Sequence, residues 1–249
     1  MRITVVMACV LTLVSFSLAG AEPIAHYTLD DKEGDTVVDS ASGKANGTAK
    51  NGPARVEGKI GGAFKFDGKD DYIEIPSNKA LDEIQNGSFT ISAWFKPDDA
   101  PAGTDDANNA QYGIVLKTGW HMGLHYTGEK KFTFAYFLKG DPDPSWVGTG
   151  AWDTEYEPGE WHHVVSVVDK AERVTKVYVN GELKGTSEAW AEGGAPREYG
   201  NMTWKIGVGS PGAEKWAWHA KGAIDDVRLY NVALKEEEVK ALFDAANKK

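Results

Sequence analysis

Cysteine is almost absent from this sequence, whose 249 residues include only Cys9. Cys9 lies in an N-terminal segment where Arg2 precedes an uncharged apolar stretch that ends in Ala19-Gly20-Ala21. This order of positive, apolar and small residues is typical of a secretory signal peptide. We therefore predict that residues 1–21 are removed and that the mature chain begins at Glu22. The mature chain then has no cysteine, which excludes disulfide bonds and leaves a packed core and a bound metal ion as sources of stability.

Long apolar runs are also missing after the predicted signal peptide. No later segment approaches the roughly 20 apolar residues that a membrane-spanning helix needs, so we predict no membrane span and a secreted or periplasmic protein.

Positive charge is in deficit as well, because the formal net charge is −10 and the removal of Arg2 makes it −11. A field of this sign repels polyanions, which argues against nucleic acid or an acidic membrane surface as the main partner.

The mature chain is rich in short stretches of alternating apolar and polar residues, separated by Gly, Asp, Asn and Pro. In residues 89–95, every second residue from Phe89 to Phe95 is apolar and would share one face of a strand. Asn180-Gly181 separates two such stretches, and both residues tolerate the positive φ angles of a two-residue hairpin turn. About a dozen stretches of this kind predict an all-β fold, an antiparallel two-sheet jelly-roll sandwich.

One helix is predicted, at residues 235–247. Val239, Leu242, Phe243 and Ala246 fall on one apolar stripe of such a helix. Acidic residues near its start and lysines near its end agree with the helix dipole. We expect this helix to pack on the sandwich, so residues 22–249 are predicted to form a single domain.

Six segments of the mature chain carry patterns that are found together in one family. They read AHYTLD at 25–30 with VDSASG at 38–43, GGAFKFDGKDDYIEIP at 61–76, SFTISAW at 88–94, GEWHHV at 159–164, VYVNG at 177–181 and GAIDDVRLYN at 222–231. In this order and spacing they resemble the laminin-G-like, concanavalin A-type jelly-roll family of extracellular proteins. The resemblance implies two packed sheets but no single function, because the fold hosts lectins, glycan-binding modules, adhesion domains and glycosidases.

The carboxylate pair of a glycosidase is not evident. Hydrolysis of a glycosidic bond needs two carboxylates across the bond, and related glucanases present them as E-x-D-x-x-E, a spacing that this sequence lacks. The nearest approach is Asp153, Glu155 and Glu157, but Gly150 and Pro158 border them and favour a solvated loop. We therefore predict that the chain is not an enzyme.

The resemblance also implies a structural Ca²⁺ between the first and last strands, held by an aspartate of the last strand and by backbone carbonyls. Asp225 is at the matching position, and Asp39 could supply a second carboxylate from the loop after the first strand. Oxygen ligands of flexible geometry suit Ca²⁺. In the alternative interpretation, Asp39 caps its own turn and Asp225 pairs with a basic side chain. Asp30 and Asp226 are weaker candidates.

Tryptophan is abundant, with nine residues. Trp94, Trp161 and Trp204 fall in predicted strands and are assigned to packing. Five others in or beside loops are predicted to bind ligand: Trp146, Trp152, Trp190, Trp216 and Trp218. An exposed indole can stack on the C–H face of a sugar ring, and loops rarely carry so much aromatic surface without a use. We expect at least two of the three segments that carry these residues to adjoin. The alternative is that the rings cover the ends of the sandwich.

Together, these patterns predict a secreted, non-catalytic module that binds a polysaccharide or glycoconjugate through loop tryptophans, with a structural calcium ion. The alternative is an adhesion or scaffold domain that binds an extracellular protein. A glycoside hydrolase is the least favoured function. The two binding functions differ in one observable, because a protein-binding surface would show no response to oligosaccharides.

Overall fold

The structure is a computed structural model that describes residues 20–102, 110–117, 122–139, 145–188, 195–196, 203–209 and 218–248, with backbone alone for 137–139, 145–146 and 195–196. Its strands are β1 (Ala25–Tyr27), β2 (Thr36–Val37), β3 (Gly47–Lys50), β4 (Ala54–Glu57), β5 (Gly62–Asp67), β6 (Tyr72–Ile75), β7 (Phe89–Pro97), β8 (Gln111–Lys117), β9 (Met122–Thr127), β10 (Phe132–Lys139), β11 (Ser145–Gly150), β12 (His162–Asp169), β13 (Val174–Val179), β14 (Glu182–Ser187), β15 (Ala195–Pro196), β16 (Trp204–Ile206), β17 (Val208–Gly209), β18 (Trp218–His219) and β19 (Lys221–Tyr230). Two α-helices, α1 (Lys79–Asp82) and α2 (Glu236–Asn247), and a 3₁₀ turn at Ile84–Asn86 complete the described elements.

Sheet A contains eight strands. β14, β13, β12, β7, β19, β5 and β4 follow one another in hydrogen-bonded order, and β1 pairs with the last part of β19. The predicted alternation in β7 is confirmed, because Phe89, Ile91, Ala93 and Phe95 lie in the main core. Trp94 points to the other face, where its ring stacks on Phe243 of α2 at 5.7 Å.

The predicted hairpin at Asn180-Gly181 joins β13 to β14. Val179 pairs with Glu182 across the turn, and the φ angles of Asn180 and Gly181 are 53° and 79°. Two successive positive φ angles match the twist of the flanking strands, so the two-residue turn is confirmed. It also fixes the register of the edge of sheet A.

Sheet B contains nine strands. β11, β10, β9, β8, β16, β6, β3 and β2 follow in hydrogen-bonded order, and β15 pairs with the end of β10. A separate ribbon of β17 and β18 follows β16 in the chain. The two large sheets enclose the main core, whose largest fully buried side chains are aromatic. Each such side chain contributes roughly 1.5–3 kcal/mol by burial. The predicted all-β, two-sheet antiparallel sandwich is thus confirmed.

Helix α2 begins and ends within one residue of the predicted limits and packs on the outside of sheet A. Val239 is fully buried in a second apolar cluster that includes Val165, Tyr178 and Tyr230 of the sheet. The backbone N–H of Lys235 donates to the carboxylate of Glu238 at 2.8 Å, which satisfies a donor at the start of the helix.

Within the described part of the chain, no helix is long and apolar enough to cross a lipid bilayer. The predicted signal peptide lies outside the described residues except for Gly20 and Ala21. Its removal therefore stays a prediction.

Candidate functional site

The face of sheet B that points away from sheet A carries four residues in register, which we call the outer row. Gly113 of β8 pairs with His125 of β9, His125 pairs with Thr133 of β10, and Thr133 pairs with Gly150 of β11. The residues on either side of His125 and Thr133 in their strands lie in the main core, so the row belongs to the outer face of sheet B. All four of its residues are nevertheless buried. Neighbouring strands are about 4.8 Å apart, which makes the row about 14 Å long.

Trp152 lies at the β11 end of the outer row, in the turn that follows the strand. Its side chain is 52% exposed. A Cβ atom added at Gly150 would lie 2.7 Å from Cε2 of the indole and 3.0 Å from Cγ2 of Thr133. The indole therefore rests directly on the backbone of Gly150, and only glycine leaves room for it. From the sequence, Trp152 was predicted to bind ligand but Gly150 was assigned only to the border of the loop, although a glycine two residues before a loop tryptophan is a usable signal.

Trp218 lies near the other end of the outer row and is buried. It belongs to β18, which pairs with β17, and its ring meets His125 edge-on at 5.5 Å. A Cβ atom at Gly209 would lie 3.0 Å from Cε3 of this indole. Trp218 therefore packs on sheet B, and its side chain is only 6% exposed. This agrees with the alternative interpretation, in which the loop tryptophans cover the sandwich and do not bind ligand.

The other predicted ligand tryptophans are described only in part. Trp146 lies in β11, where its backbone pairs with Phe137 of β10. Trp190 and Trp216 lie outside the described residues. The segment with Trp146 and Trp152 and the segment that ends in Trp218 thus both reach sheet B.

The tryptophans that were assigned to packing differ among themselves. Trp94 and Trp204 are buried, as expected. Trp161, which precedes β12, is only half-buried, and the ammonium group of Lys96 lies over its ring at 5.2 Å. The expectation of a core position for Trp161 is therefore wrong, because this residue lies just outside the strand in a cation–π contact.

The acidic segment after Trp152 forms a loop, as expected. Asp153, Glu155 and Glu157 are exposed and belong to no strand. Both carboxylate oxygens of Glu157 accept hydrogen bonds from Lys130 Nζ at 2.9 Å. A carboxylate held by a lysine in water does not resemble a general acid, whose pKa is raised by burial or by a like charge.

His162 and His163 are adjacent residues of β12 and face opposite ways. The His162 ring contacts Tyr156 and Phe132 on the inner side. His163 is fully buried under α2, where its Nε2 is 2.9 Å from Ser92 Oγ. Burial lowers the pKa of His163 to about 3, so the ring is neutral. The two rings therefore do not share a metal ion.

Asp225 is buried in β19 next to the turn between β4 and β5. One carboxylate oxygen accepts a hydrogen bond from Ile60 N–H at 2.9 Å, and the other is buried without a hydrogen-bond partner among the described residues. A Cβ atom at Gly58 would lie 2.7 Å from the first oxygen. Burial raises the pKa of Asp225 to about 7. The sequence analysis missed this turn, because sequence spacing alone does not reveal a contact across 165 residues.

Asp39 has the contacts of a turn cap. Its carboxylate accepts hydrogen bonds from the backbone N–H groups of His26, Ala41 and Ser42 and from the Ser42 hydroxyl, and these bonds lower its pKa despite partial burial. Asp226, at a β-bulge in β19, binds His26 Nε2 at 2.7 Å and Arg228. Both carboxylates thus have side-chain partners of their own, whereas one oxygen of Asp225 has no hydrogen-bond partner among the described residues.

The two packed antiparallel sheets are the architecture that the six sequence segments implied. A model of the concanavalin A-like lectin/glucanases superfamily, of the laminin G type, matches residues 67–240. The chain belongs to this superfamily. The match covers most of both sheets and confirms the resemblance that the sequence segments indicated. No curated protein sequence matches the chain.

Solved structures of this superfamily fold share its architecture at low identity. Domain 4 of AbnA, a GH43 extracellular arabinanase from Geobacillus stearothermophilus, solved with arabinotriose, superposes with a TM-score of 0.59 at 21% identity over 90% of this chain and 98% of that one. The binding domain of Paraclostridial Mosquitocidal Protein 1 gives 0.64 at 16% identity, over 91% of this chain and 52% of that one. Trypanosoma rangeli sialidase in complex with the inhibitor DANA gives 0.62 at 19% identity over 89% of this chain, which spans only 32% of the sialidase. At these identities the likeness concerns the fold.

Proposed function

We propose that this chain is an extracellular, non-catalytic module that binds polysaccharide or glycoconjugate at the β11 end of sheet B, with Trp152 as the stacking ring. The observation that carries the proposal is the exposure of this indole. Among the five tryptophans whose side chains the structure describes, only Trp152 is exposed. A large apolar ring held open to solvent on a fixed backbone floor is typical of a binding surface.

The neighbourhood of the ring supports a sugar as its ligand. An indole offers a flat apolar face, and Asp153 and Thr154 follow it with oxygen atoms that can accept hydrogen bonds from sugar hydroxyls. The domain of the arabinanase that superposes on nearly its whole length was solved with arabinotriose. That ligand belongs to that protein, but it shows that this architecture can hold an oligosaccharide.

Fluorescence titration with neutral oligosaccharides tests the proposal. Trp152→Ala should weaken binding about fivefold, because one stacking ring contributes on the order of 1 kcal/mol. Leu183→Ala is the matched control, since it removes another exposed apolar side chain, on β14, and it should leave the affinity unchanged. If no oligosaccharide changes the fluorescence, the proposal is wrong and the adhesion function that binds an extracellular protein takes its place.

We also propose that Asp225 holds a structural Ca²⁺ together with backbone carbonyls of the turn that includes Ile60. The residues fit such an ion: the buried carboxylate keeps one oxygen without a partner, and Gly58 lets the backbone approach closely. The unpartnered atom is a carboxylate oxygen, a ligand type that Ca²⁺ prefers. A divalent cation would offset the unfavourable burial of the carboxylate and tie the turn to the last strand. Asp39 is left out of this ion site because its carboxylate already caps its turn.

Thermal unfolding with and without a chelator tests the calcium proposal. An ion that binds only the folded state stabilises it by about 2.7 kcal/mol at one hundred times its Kd, so chelation should lower the melting temperature and added Ca²⁺ should restore it. Asp225→Asn should abolish this response, whereas Asp39→Asn should lower the melting temperature but keep the response. A wild-type melting temperature that ignores both chelator and Ca²⁺ would exclude the ion.

A further inference from the structure

The loop that presents Trp152 also concentrates negative charge around it. Asp153 is the next residue and Glu155 lies two residues further on, and both side chains are exposed. Three residues of chain span at most about 11 Å between Cα atoms, so at low salt, where the Debye length reaches about 30 Å, both charges can act on a ligand at Trp152. A ligand stacked on Trp152 is therefore exposed to their field.

The lysines near this loop do little to offset that field. Lys130 is held by Glu157, and Lys184 of β14 is held by Glu182 at 2.7 Å. The loop and the two segments beside it carry five carboxylates and three ammonium groups: Glu129, Asp153, Glu155, Glu157 and Glu182 against Lys130, Lys131 and Lys184. Since Lys130 and Lys184 are already paired with Glu157 and Glu182, Glu129, Asp153 and Glu155 remain against Lys131, which is an excess of two negative charges.

From this charge pattern we infer that the Trp152 surface takes sugars without carboxylate or sulfate groups, and discriminates against uronic acids, sialic acids and sulfated glycans. The inference rests on the proposed function and narrows its ligand class. Carboxylates accept hydrogen bonds from the hydroxyl groups of a neutral sugar or the ammonium group of an amino sugar, but they repel an anion. The net charge of −10 adds long-range repulsion of the same sign.

Titration with paired oligosaccharides that share one backbone tests this inference. The mature chain is titrated with a neutral hexose oligomer and with its uronic-acid counterpart, first at low salt and then at high salt. We expect the anionic oligomer to bind at least about fivefold more weakly at low salt, with a gap that narrows as salt screens the carboxylates. Equal or tighter binding of the anionic oligomer would overturn the inference while leaving the proposed function intact.

A charge-neutral variant locates the origin of the discrimination. The double variant Asp153→Asn and Glu155→Gln should bring the affinity ratio of the two oligomers to within about twofold of unity. Glu172→Gln removes one exposed carboxylate in the turn between β12 and β13, at the far end of β12, and it should leave the ratio unchanged. If the double variant keeps the wild-type ratio, the inference fails. If neither oligomer binds the wild-type chain, the proposed function itself fails.

Discussion

Gly150 offers a way to move the Trp152 indole without deleting it. In Gly150→Ala, the new Cβ would lie 2.7 Å and 2.8 Å from two atoms of the indole, which is closer than real Cβ contacts allow. The indole is half exposed and stands on a solvent-facing turn, so it can swing away at little cost. Alanine is also preferred to glycine inside a strand by roughly 0.5–1 kcal/mol. The stability change should therefore be within about 1 kcal/mol of zero, while the stacking surface is displaced.

Gly150→Ala should weaken ligand binding while it leaves the free energy of unfolding almost unchanged. A displaced ring loses a contribution on the order of 1 kcal/mol, which is about a fivefold rise in Kd. The assay is isothermal titration with a neutral oligosaccharide, paired with thermal unfolding of the same protein. Wild-type affinity in Gly150→Ala would refute the argument, because it would mean that the position of the indole over Gly150 does not matter for the ligand.

Gly185 provides the matched contrast. A Cβ atom there would lie 2.1 Å from the backbone carbonyl oxygen of Gly150, at the seam where β14 meets β11. A backbone group in a strand cannot swing away, so Gly185→Ala should cost at least the roughly 1–3 kcal/mol of an overpacked site. If Gly150→Ala destabilised the protein as much as Gly185→Ala, the indole would be a structural element of the fold and not a mobile binding surface.

Three further predictions concern the fold, the pH dependence and the N-terminus. Trp94→Ala should lower the free energy of unfolding by roughly 3–5 kcal/mol in denaturant titration, whereas Trp152→Ala should change it by less than about 1 kcal/mol. His163 has a pKa of about 3 when folded and about 6.5 when unfolded, so the unfolded chain binds more protons between these values. Between about pH 6.5 and 3 this ring should therefore contribute a fall in stability of about 1.4 kcal/mol per pH unit. His163→Phe should make the pH dependence shallower by that amount, and Glu172→Gln should not. Mass spectrometry of exported protein should find Glu22 at the N-terminus, and an intact Met1 would contradict the predicted signal peptide.

Local patterns account for the parts of the fold that were predicted correctly. The alternation in β7, the Asn180-Gly181 turn and the apolar stripe of α2 each depend on neighbours close in sequence, and each was confirmed. The contact between Asp225 and the backbone of Ile60 could not be predicted in this way. It arises because β19 pairs with β5, and strand order across a sheet is a long-range property.

The tryptophans of the candidate site show the same limit of prediction from local sequence patterns. Trp152 and Trp218 lie in similar surroundings in the sequence, among small and polar residues, and the same role was predicted for both. The structure separates them because Trp218 pairs into a ribbon and meets His125, whereas Trp152 stands on a turn above a glycine. Which ring is covered depends on what packs above each strand, and the alternation within the strand carries no information about that.

The outer faces of the two sheets differ in what covers them. The outer face of sheet A is closed by α2, which buries Val239 against Tyr178 and Tyr230 and stacks Phe243 on Trp94. A face used in this way stabilises the fold and is not available to a ligand. On sheet B, the outer row is itself buried, whereas Trp152, in the turn that follows β11, is open to solvent. Because a stacking site needs an exposed ring on a fixed floor, the proposed function assigns the ligand to this end of sheet B.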